Sequence, residues 1–286
     1  MNILEKILVE KSKRLDQLQE AVPFSRLVTQ YEDAQTKSKK ENDSSKTGFD
    51  KPIFTQNTFQ VIAEIKRASP SKGKIPWALS LEDLLKQYES GGASLISVLT
   101  EEDFFLGSNT LFQTVRQLTL LPLLRKDFIF TKYQVYESAL LGANVILLIT
   151  SILDQQKLHA LIILAEQLGL IPLVECRDEE EIAKALAAGA TLLGINNRDL
   201  RTFEINLNRT AELSQLIPKD CFLVSESGIL EPKDAALVSH FGADAILVGE
   251  SCVRSNHPGE HIRALLEAGQ EQKLLSSAKT KRRDIL

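Results

Sequence analysis

Apolar runs of strand length recur along the chain at 61–65, 94–99, 121–125, 145–149, 171–175, 192–196, 222–225 and 245–248. Between them apolar residues return every three to four positions, which predicts helices over 81–90, 108–118, 154–168, 178–188 and 232–240. Strands alternating with helices imply βαβ units and a parallel sheet. Eight strands over about 200 residues predict an α/β protein of the (β/α)8 TIM-barrel class. A faint repeat supports closure, because Gly-Ala precedes every second strand at Gly92-Ala93, Gly142-Ala143, Gly189-Ala190 and Gly242-Ala243. A small residue ending each helix lets the chain turn tightly into the next strand. The alternative, an open doubly wound sheet, lacks support: no Gly-x-Gly-x-x-Gly follows the first strand.

The flanks read differently. Ile3, Leu4, Ile7, Leu8, Leu15 and Leu18 are close to helical spacing, and a second short helix is expected over 24–31 after Pro23. The stretch 36–50 is polar with almost nothing to bury, so a flexible linker is expected there. The polar, basic stretch 269–286 reads as a frayed tail with no room for a second barrel. The expected organisation is therefore one barrel domain over 1–268, with an N-terminal helical extension at 1–50.

Composition narrows the classes. A chain of 286 residues buries a large core, and a net charge of −4 offers no global attraction to nucleic acid or an anionic membrane. No apolar run is long enough to cross a bilayer, and the start lacks the basic-then-apolar pattern of a signal peptide. Cys176, Cys221 and Cys252 lie far apart with no zinc-like spacing; Cys221 and Cys252 read as small core residues, and Cys176 as a bystander. A cytoplasmic protein, monomeric or weakly homo-oligomeric, is the expectation.

In such a barrel the chemistry sits at the C-terminal ends of the strands. The first strand ends in Glu64 and Lys66, two residues apart and so on one side of a strand. A carboxylate and an ammonium sharing a buried side are costly unless paired or used. The second strand runs into an acidic, aromatic loop, Leu99-Thr-Glu-Glu-Asp-Phe-Phe105. Later strands end at Lys126, Glu175, Asn196 with Arg198, Glu226 with Ser227, and Glu250 with Ser251. Two lysines among several carboxylates form a coupled array; a lysine with a lowered pKa would serve as general acid or Schiff-base nucleophile, and a carboxylate would take a proton back. No His-rich or Asp-rich cluster suggests a metal, and His159, His240, His257 and His261 read as surface residues.

Ser227-Gly228 and Gly249-Glu-Ser251 follow the last two strands, where barrel loops present backbone N–H groups to a phosphate. Ser69 and Arg198 are further donors. Phe104 or Phe105, Phe128, Leu147 and Phe203 supply material for a flat apolar slot.

Taken together, Ala63-Glu-Ile-Lys-Arg-Ala-Ser-Pro-Ser-Lys-Gly73, Ser97-Val-Leu-Thr-Glu-Glu-Asp-Phe-Phe105, Leu124-Arg-Lys-Asp-Phe128, Gly194-Ile-Asn-Asn-Arg-Asp-Leu200 and Ser225-Glu-Ser-Gly-Ile229 resemble indole-3-glycerol-phosphate synthases of tryptophan biosynthesis. The resemblance spans about residues 1–268. It implies a carboxy-lyase needing no cofactor, which closes the ring of 1-(2-carboxyphenylamino)-1-deoxyribulose 5-phosphate with loss of CO2 and water. It also implies roles: Lys126 as general acid, Lys66 holding the substrate carboxylate and sharing the acid duty at some steps, and Glu175 as base. Glu64 and Glu226 would orient lysines and hydroxyls, with Asn196 and Ser227 as polar positioning groups. Ser69, Arg198, Gly228, Gly249 and Glu250 would face the phosphate. Where the family has serine, Glu250 would contribute its backbone N–H, since its carboxylate repels phosphate. Phe105, Phe128, Leu147 and Phe203 would form the anthranilate slot. Two other readings compete: a phosphoribosylanthranilate isomerase, which would need a cysteine at the end of the first strand, and a non-catalytic barrel that binds a phosphorylated ligand.

Overall fold

The computed structural model describes residues 2–40, 53–55, 58–70, 72–199 and 202–283. Its parallel strands are β1 (Gln60–Ile65), β4 (Leu95–Leu99), β5 (Leu123–Lys126), β6 (Val145–Ile149), β7 (Ile171–Cys176), β8 (Leu192–Asn196), β9 (Phe222–Glu226) and β10 (Ala245–Val248). They pair in that order and β10 returns to β1, closing the predicted barrel. A small antiparallel hairpin, β2 (Ala68–Ser69) with β3 (Gly73–Lys74), stands on the end of β1. The surrounding helices are α3 (Leu81–Ser90), α4 (Asn109–Leu118), α5 (Lys132–Leu140), α6 (Gln155–Gln167), α7 (Glu179–Ala187), α8 (Asn208–Ser214) and α9 (Pro232–His240). A short α10 (Glu250–Arg254) and a long α11 (Pro258–Arg283) complete the ring.

The strand period of two sorts the core into two layers. Val61, Ala63 and Ile65 pack outward with the helices, whereas Ile62 joins Leu95, Leu124, Leu147, Leu173, Leu192, Val224 and Leu247 inside the barrel. Lys126 is two residues beyond Leu124, Glu175 two beyond Leu173, and Glu226 two beyond Val224. The polar side chains at the strand ends thus continue the inward-facing rows. Phe54 stacks on Phe222 at 4.9 Å between ring centroids, at the N-terminal end of β9, so the opposite mouth is closed by apolar groups.

The Gly-Ala repeat has a conformational cause. Gly92, Gly142, Gly189 and Gly242 have φ between +82° and +105°, the left-handed region that a Cβ disfavours. The N–H of each following alanine bonds back across the helix end, as Ala93 does to Tyr88 and Ala143 to Ser138. This is the Schellman stop, and it delivers the chain directly to the next strand.

The first helix forms where expected, and the rest of the flanks depart from expectation. α1 (Ile3–Ala21) opens on a reciprocal capping box between Asn2 and Glu5. α2 runs over Phe24–Lys40, well past the short helix expected; Phe24 and Tyr31 each meet Tyr136 of α5 edge-on at 5.5 Å. The first residues of the expected linker are therefore helical, and 41–50 lie outside the described residues. With 284–286 outside the described residues, the expected frayed tail is instead an unbroken continuation of α11 to Arg283. It is held by the barrel: Phe59 N–H donates to Gln270 Oε1 at 2.6 Å, Ser239 Oγ to the Gly269 carbonyl at 2.7 Å, and Lys273 pairs with Asp244. Among the described residues no helix is long and apolar enough to cross a membrane, and no cluster of three or more His, Cys, Asp or Glu is placed to hold a metal.

Candidate active site

At the C-terminal mouth lies a cavity of about 230 Å³. At its floor, Glu64 reaches both lysines: Oε1 lies 2.7 Å from Lys66 Nζ and Oε2 lies 3.2 Å from Lys126 Nζ. Lys126 Nζ also sits 3.0 Å from Glu226 Oε2. Burial penalises the Glu64 carboxylate, but Lys126 and Lys66 outweigh it and hold its pKa at about 2. Glu175 goes the other way. Its burial comes first and the Glu226 charge second, and both outweigh Lys126 and a hydrogen bond from Asn196, leaving it at about 7. A lowered lysine pKa, the condition named for acid action near neutrality, is not found at Lys126. Burial alone would lower it, but Glu226, Glu64 and Glu175 together raise it above the ordinary lysine range.

Close packing fixes this array. A Cβ on Gly249 would lie 2.5 Å from Glu64 Oε1, and one on Gly194 only 2.3 Å from Glu226 Oε1. Glycine at both sites leaves room for the carboxylates. Beneath Glu226 and Ser227, fully buried Asn197 donates Nδ2 to Ser225 Oγ and to the carbonyls of Glu226 and Ser227, at 2.9 to 3.1 Å. Thr210 Oγ1 donates to Asn197 Oδ1 at 2.8 Å, so α8 locks the end of β9. Ser227 is held there at φ +65°, followed by Gly228 at +87°.

One end of the cavity gathers the expected phosphate-side residues. Ser69, Arg198, Ser227, Gly228, Gly249 and Glu250 all line it. Gly249 caps α10, whose first turn leaves backbone N–H groups without helical partners. The Glu250 carboxylate is already engaged by Lys72 Nζ at 2.6 Å and Arg254 Nε at 3.4 Å. Arg198 Nη1 donates to the Phe203 carbonyl at 3.3 Å.

The other end is apolar. Phe105 and Phe128 face each other at 6.2 Å with planes tilted by 41°, beside Leu147. Ile3, Leu4 and Ile7 of α1 roof this end. Phe203 also lines the cavity, but from the loop that carries Arg198 and outside the Phe105–Phe128–Leu147 cluster. Phe105 is set by buried Glu101, which accepts the N–H groups of Asp103, Phe104 and Phe105 at 2.8 to 3.0 Å.

Of the sixteen residues given roles by the resemblance, all but Glu226 line the cavity, and Glu226 lies directly behind Lys126; Phe104, the alternative to Phe105, does not line it. Sequence reasoning missed Asn197, Lys72 and the clasp on α1. In that clasp Lys11 Nζ meets buried Asp127 at 2.7 Å, and Arg14 forks onto Asp103 while also reaching Glu102. Asp127 directly follows Lys126, and a carboxylate at the end of an apolar strand was the available signal. Cys176 is wholly buried and its thiol is pushed up to about 12 by burial, which leaves it inert. Cys221 is only half-buried, and His261 is half-buried rather than on the surface.

Comparison with known proteins agrees on one family. The family model described as indole-3-glycerol phosphate synthase matches residues 4–265. A protein of that name from Alkaliphilus metalliredigens is 40% identical over 263 residues, covering 92% of this chain and 97% of the relative. One from Carboxydothermus hydrogenoformans is 48% identical over 207 residues, covering 72% of this chain and 78% of its own. Among solved structures, 3-hexulose-6-phosphate synthase from Salmonella typhimurium superposes with a TM-score of 0.60 at 14% identity, over 74% of this chain and 99% of that one. Thiamine phosphate pyrophosphorylase from Pyrococcus furiosus gives 0.56 at 17% identity, over 75% and 96%. At such identities the likeness shows the barrel alone.

Proposed function

The chain belongs to the indole-3-glycerol phosphate synthase family, and from that premise we propose how its own residues carry the reaction. The enzyme is a carboxy-lyase of tryptophan biosynthesis. It converts 1-(2-carboxyphenylamino)-1-deoxyribulose 5-phosphate to indole-3-glycerol phosphate, releasing CO2 and water. One observation carries the residue assignment: a single cavity has an aromatic slot at one end, a Gly- and Arg-bearing end opposite, and the lysine–carboxylate array between them.

The anthranilate ring lies in the slot of Phe105, Phe128 and Leu147, and the phosphate lies among Ser69, Arg198, Gly228 and the N–H groups at Gly249 and Glu250. Lys66 holds the substrate carboxylate. Lys126 donates a proton to the carbonyl oxygen as the aromatic carbon attacks, so the carbonyl becomes a hydroxyl. The ring nitrogen takes up the positive charge, and this iminium receives the electron pair of the breaking C–C bond as CO2 leaves. The hydroxyl then departs as water with a proton from Lys66, since Lys126 has already given its own, and Glu175 takes the proton from the carbon beside nitrogen, which makes the new five-membered ring aromatic. A carboxyl near 7 suits that last role, because general bases work best with a pKa near the operating pH. The raised Lys126 arrives fully protonated, and the surrounding carboxylates hold its charge until the oxygen needs it. Glu64, Glu226, Asn196 and Ser227 position these groups. Phe203 closes the phosphate side. The reading places the enzyme in the cytoplasm as a monomer or weak homo-oligomer, where its free cysteines stay reduced.

Turnover followed by indole fluorescence, wild type beside Lys126→Ala with both checked for folding, tests the assignment. Product from the wild type alone is expected. Equal rates would move the acid role to Lys66.

A further inference from the structure

Glu250 poses a problem for the phosphate end, because a carboxylate lining that end repels a dianion. The structure shows what its charge is doing. Lys72 Nζ sits 2.6 Å from Glu250 Oε1, and both residues line the same cavity as Ser69, Arg198, Gly228 and Gly249. Lys72 occupies the turn of the β2–β3 hairpin, with its N–H donating to the Ser69 carbonyl at 3.2 Å. The Ile75 N–H donates to the Arg67 carbonyl at 2.8 Å, which ties the far side of the hairpin to the end of β1. The backbone is thus anchored while the Lys72 side chain, 45% exposed, stays free to turn. Glu250 keeps a second cation, Arg254 Nε at 3.4 Å, for the time when Lys72 leaves.

We propose that Lys72 is a phosphate-binding residue, parked on the Glu250 carboxylate in the free enzyme and taken over by the substrate's phosphate in the complex. The inference rests on the reading that the phosphate lies at the loops following β8, β9 and β10. With Lys72 45% exposed the pair is partly screened by water, and exchanging a monoanionic partner for a dianion proceeds downhill. Glu250 then acts as an internal competitor that sets phosphate affinity and eases release of the phosphorylated product. A plain structural strap between two loops would make the opposite prediction for its removal.

The experiment measures competitive inhibition by inorganic phosphate, together with KM and kcat, for the wild type, Lys72→Met, Glu250→Gln and Arg198→Met. Lys72 is exposed and Glu250 half-buried at the rim of the mouth, and circular dichroism and urea unfolding of each variant confirm its folding before the kinetics are read. Lys72→Met is expected to weaken phosphate inhibition and raise KM about tenfold with kcat nearly unchanged, the loss of one charge-assisted contact made equally in ground and transition states. Glu250→Gln is expected to tighten phosphate about threefold, because the competing carboxylate is gone. A looser phosphate in Glu250→Gln makes the pair a strap and overturns the proposal. If Arg198→Met weakens inhibition and Lys72→Met does not, the phosphate end stands and the role of Lys72 falls. If neither changes it, phosphate binds elsewhere and the underlying reading fails as well.

Discussion

Replacing Glu175 by glutamine should make the enzyme more stable while disabling it. The carboxyl sits at about 7 in the folded chain against 4.5 for an unperturbed group, because burial and the Glu226 charge disfavour its ionised form. Between those two values the unfolded chain has lost the proton and the folded chain retains it. Stability therefore falls as pH rises from 4.5 to 7, and the penalty is complete above 7. A shift of that size corresponds to about 3 kcal/mol. Glutamine is neutral at every pH and keeps an amide oxygen for Asn196. The variant should match the wild type below pH 4.5 and exceed it by up to about 3 kcal/mol at pH 8. Urea unfolding of both proteins at pH 4.5 and pH 8, compared at a common slope, reads this directly. In the same variant kcat should fall about 10²- to 10⁴-fold. The wild-type rise of kcat/KM through pH 7 should vanish with it. An unchanged stability difference between the two pH values would refute the claim that burial and Glu226 raise the Glu175 carboxyl to about 7.

Glu64 carries the opposite sign. Burial works against its charge, yet Lys126 and Lys66 hold it at about 2, so it contributes about 3 kcal/mol above pH 4.5 that is lost as pH falls toward 2. Glu64→Gln should flatten that part of the acid-unfolding curve, and an unchanged curve would show that the pairing does not survive in solution. Lys11→Met removes a cation from buried Asp127, which retains Arg125 Nη2 at 3.3 Å and Thr100 Oγ1 at 2.6 Å. It should cost about 2 kcal/mol in urea unfolding and raise KM more than it lowers kcat, since α1 roofs the aromatic end; equal effects on both constants would place Lys11 in the chemistry instead. Iodoacetamide at pH 8, followed by mass spectrometry, should label Cys221 and spare Cys176 and Cys252, whose thiols burial pushes to about 12. Fast labelling of native Cys176 would mean that β7 opens readily.

The barrel was legible because parallel strands buried on both faces are continuous apolar runs, and the charges at their ends break those runs visibly. Glu64, Lys126, Glu175 and Glu226 each follow an apolar inward-facing residue by two positions, a pattern one dimension can carry. Pairings across the closed ring were not legible. Lys11 meets Asp127 across 116 positions and Lys72 meets Glu250 across 178, and nothing local at either end announces the partner. The direction of the Lys126 shift was not legible for the same reason, since it depends on how many carboxylates converge on one nitrogen. α5 escaped the periodic reading because it buries Gln134 and Ser138 along with Tyr133 and Val135, which blurs its apolar stripe. The polar end of α11 is helical through anchoring at Phe59, Ser239 and Asp244, a tertiary effect that overrides a composition suited to fraying.

The two mouths of the barrel divide stability from function. At the N-terminal mouth Phe54 and Phe222 pack ring against ring. At the C-terminal mouth the same fold tolerates features that each cost stability. Ser227 and Phe203 sit at φ +65° and +62°, conformations that cost side chains about 1–3 kcal/mol each. Glu226 Oε1 is buried with no hydrogen-bond partner among the described residues, and Glu175 ionises only at about 7. These burdens touch one another: Ser227 follows Glu226, Glu226 raises Glu175, and Asn197 holds the backbone of the first two. A barrel free to relax would swing Ser227 back and give Glu226 a donor. It does not, because the Asn197–Thr210–Ser225 network fixes the end of β9 from behind, while the missing Cβ of Gly194 leaves room for the carboxylate. The strain is therefore imposed by a rigid support outside the cavity, and the substrate meets an array whose charges need no rearrangement as the ring closes.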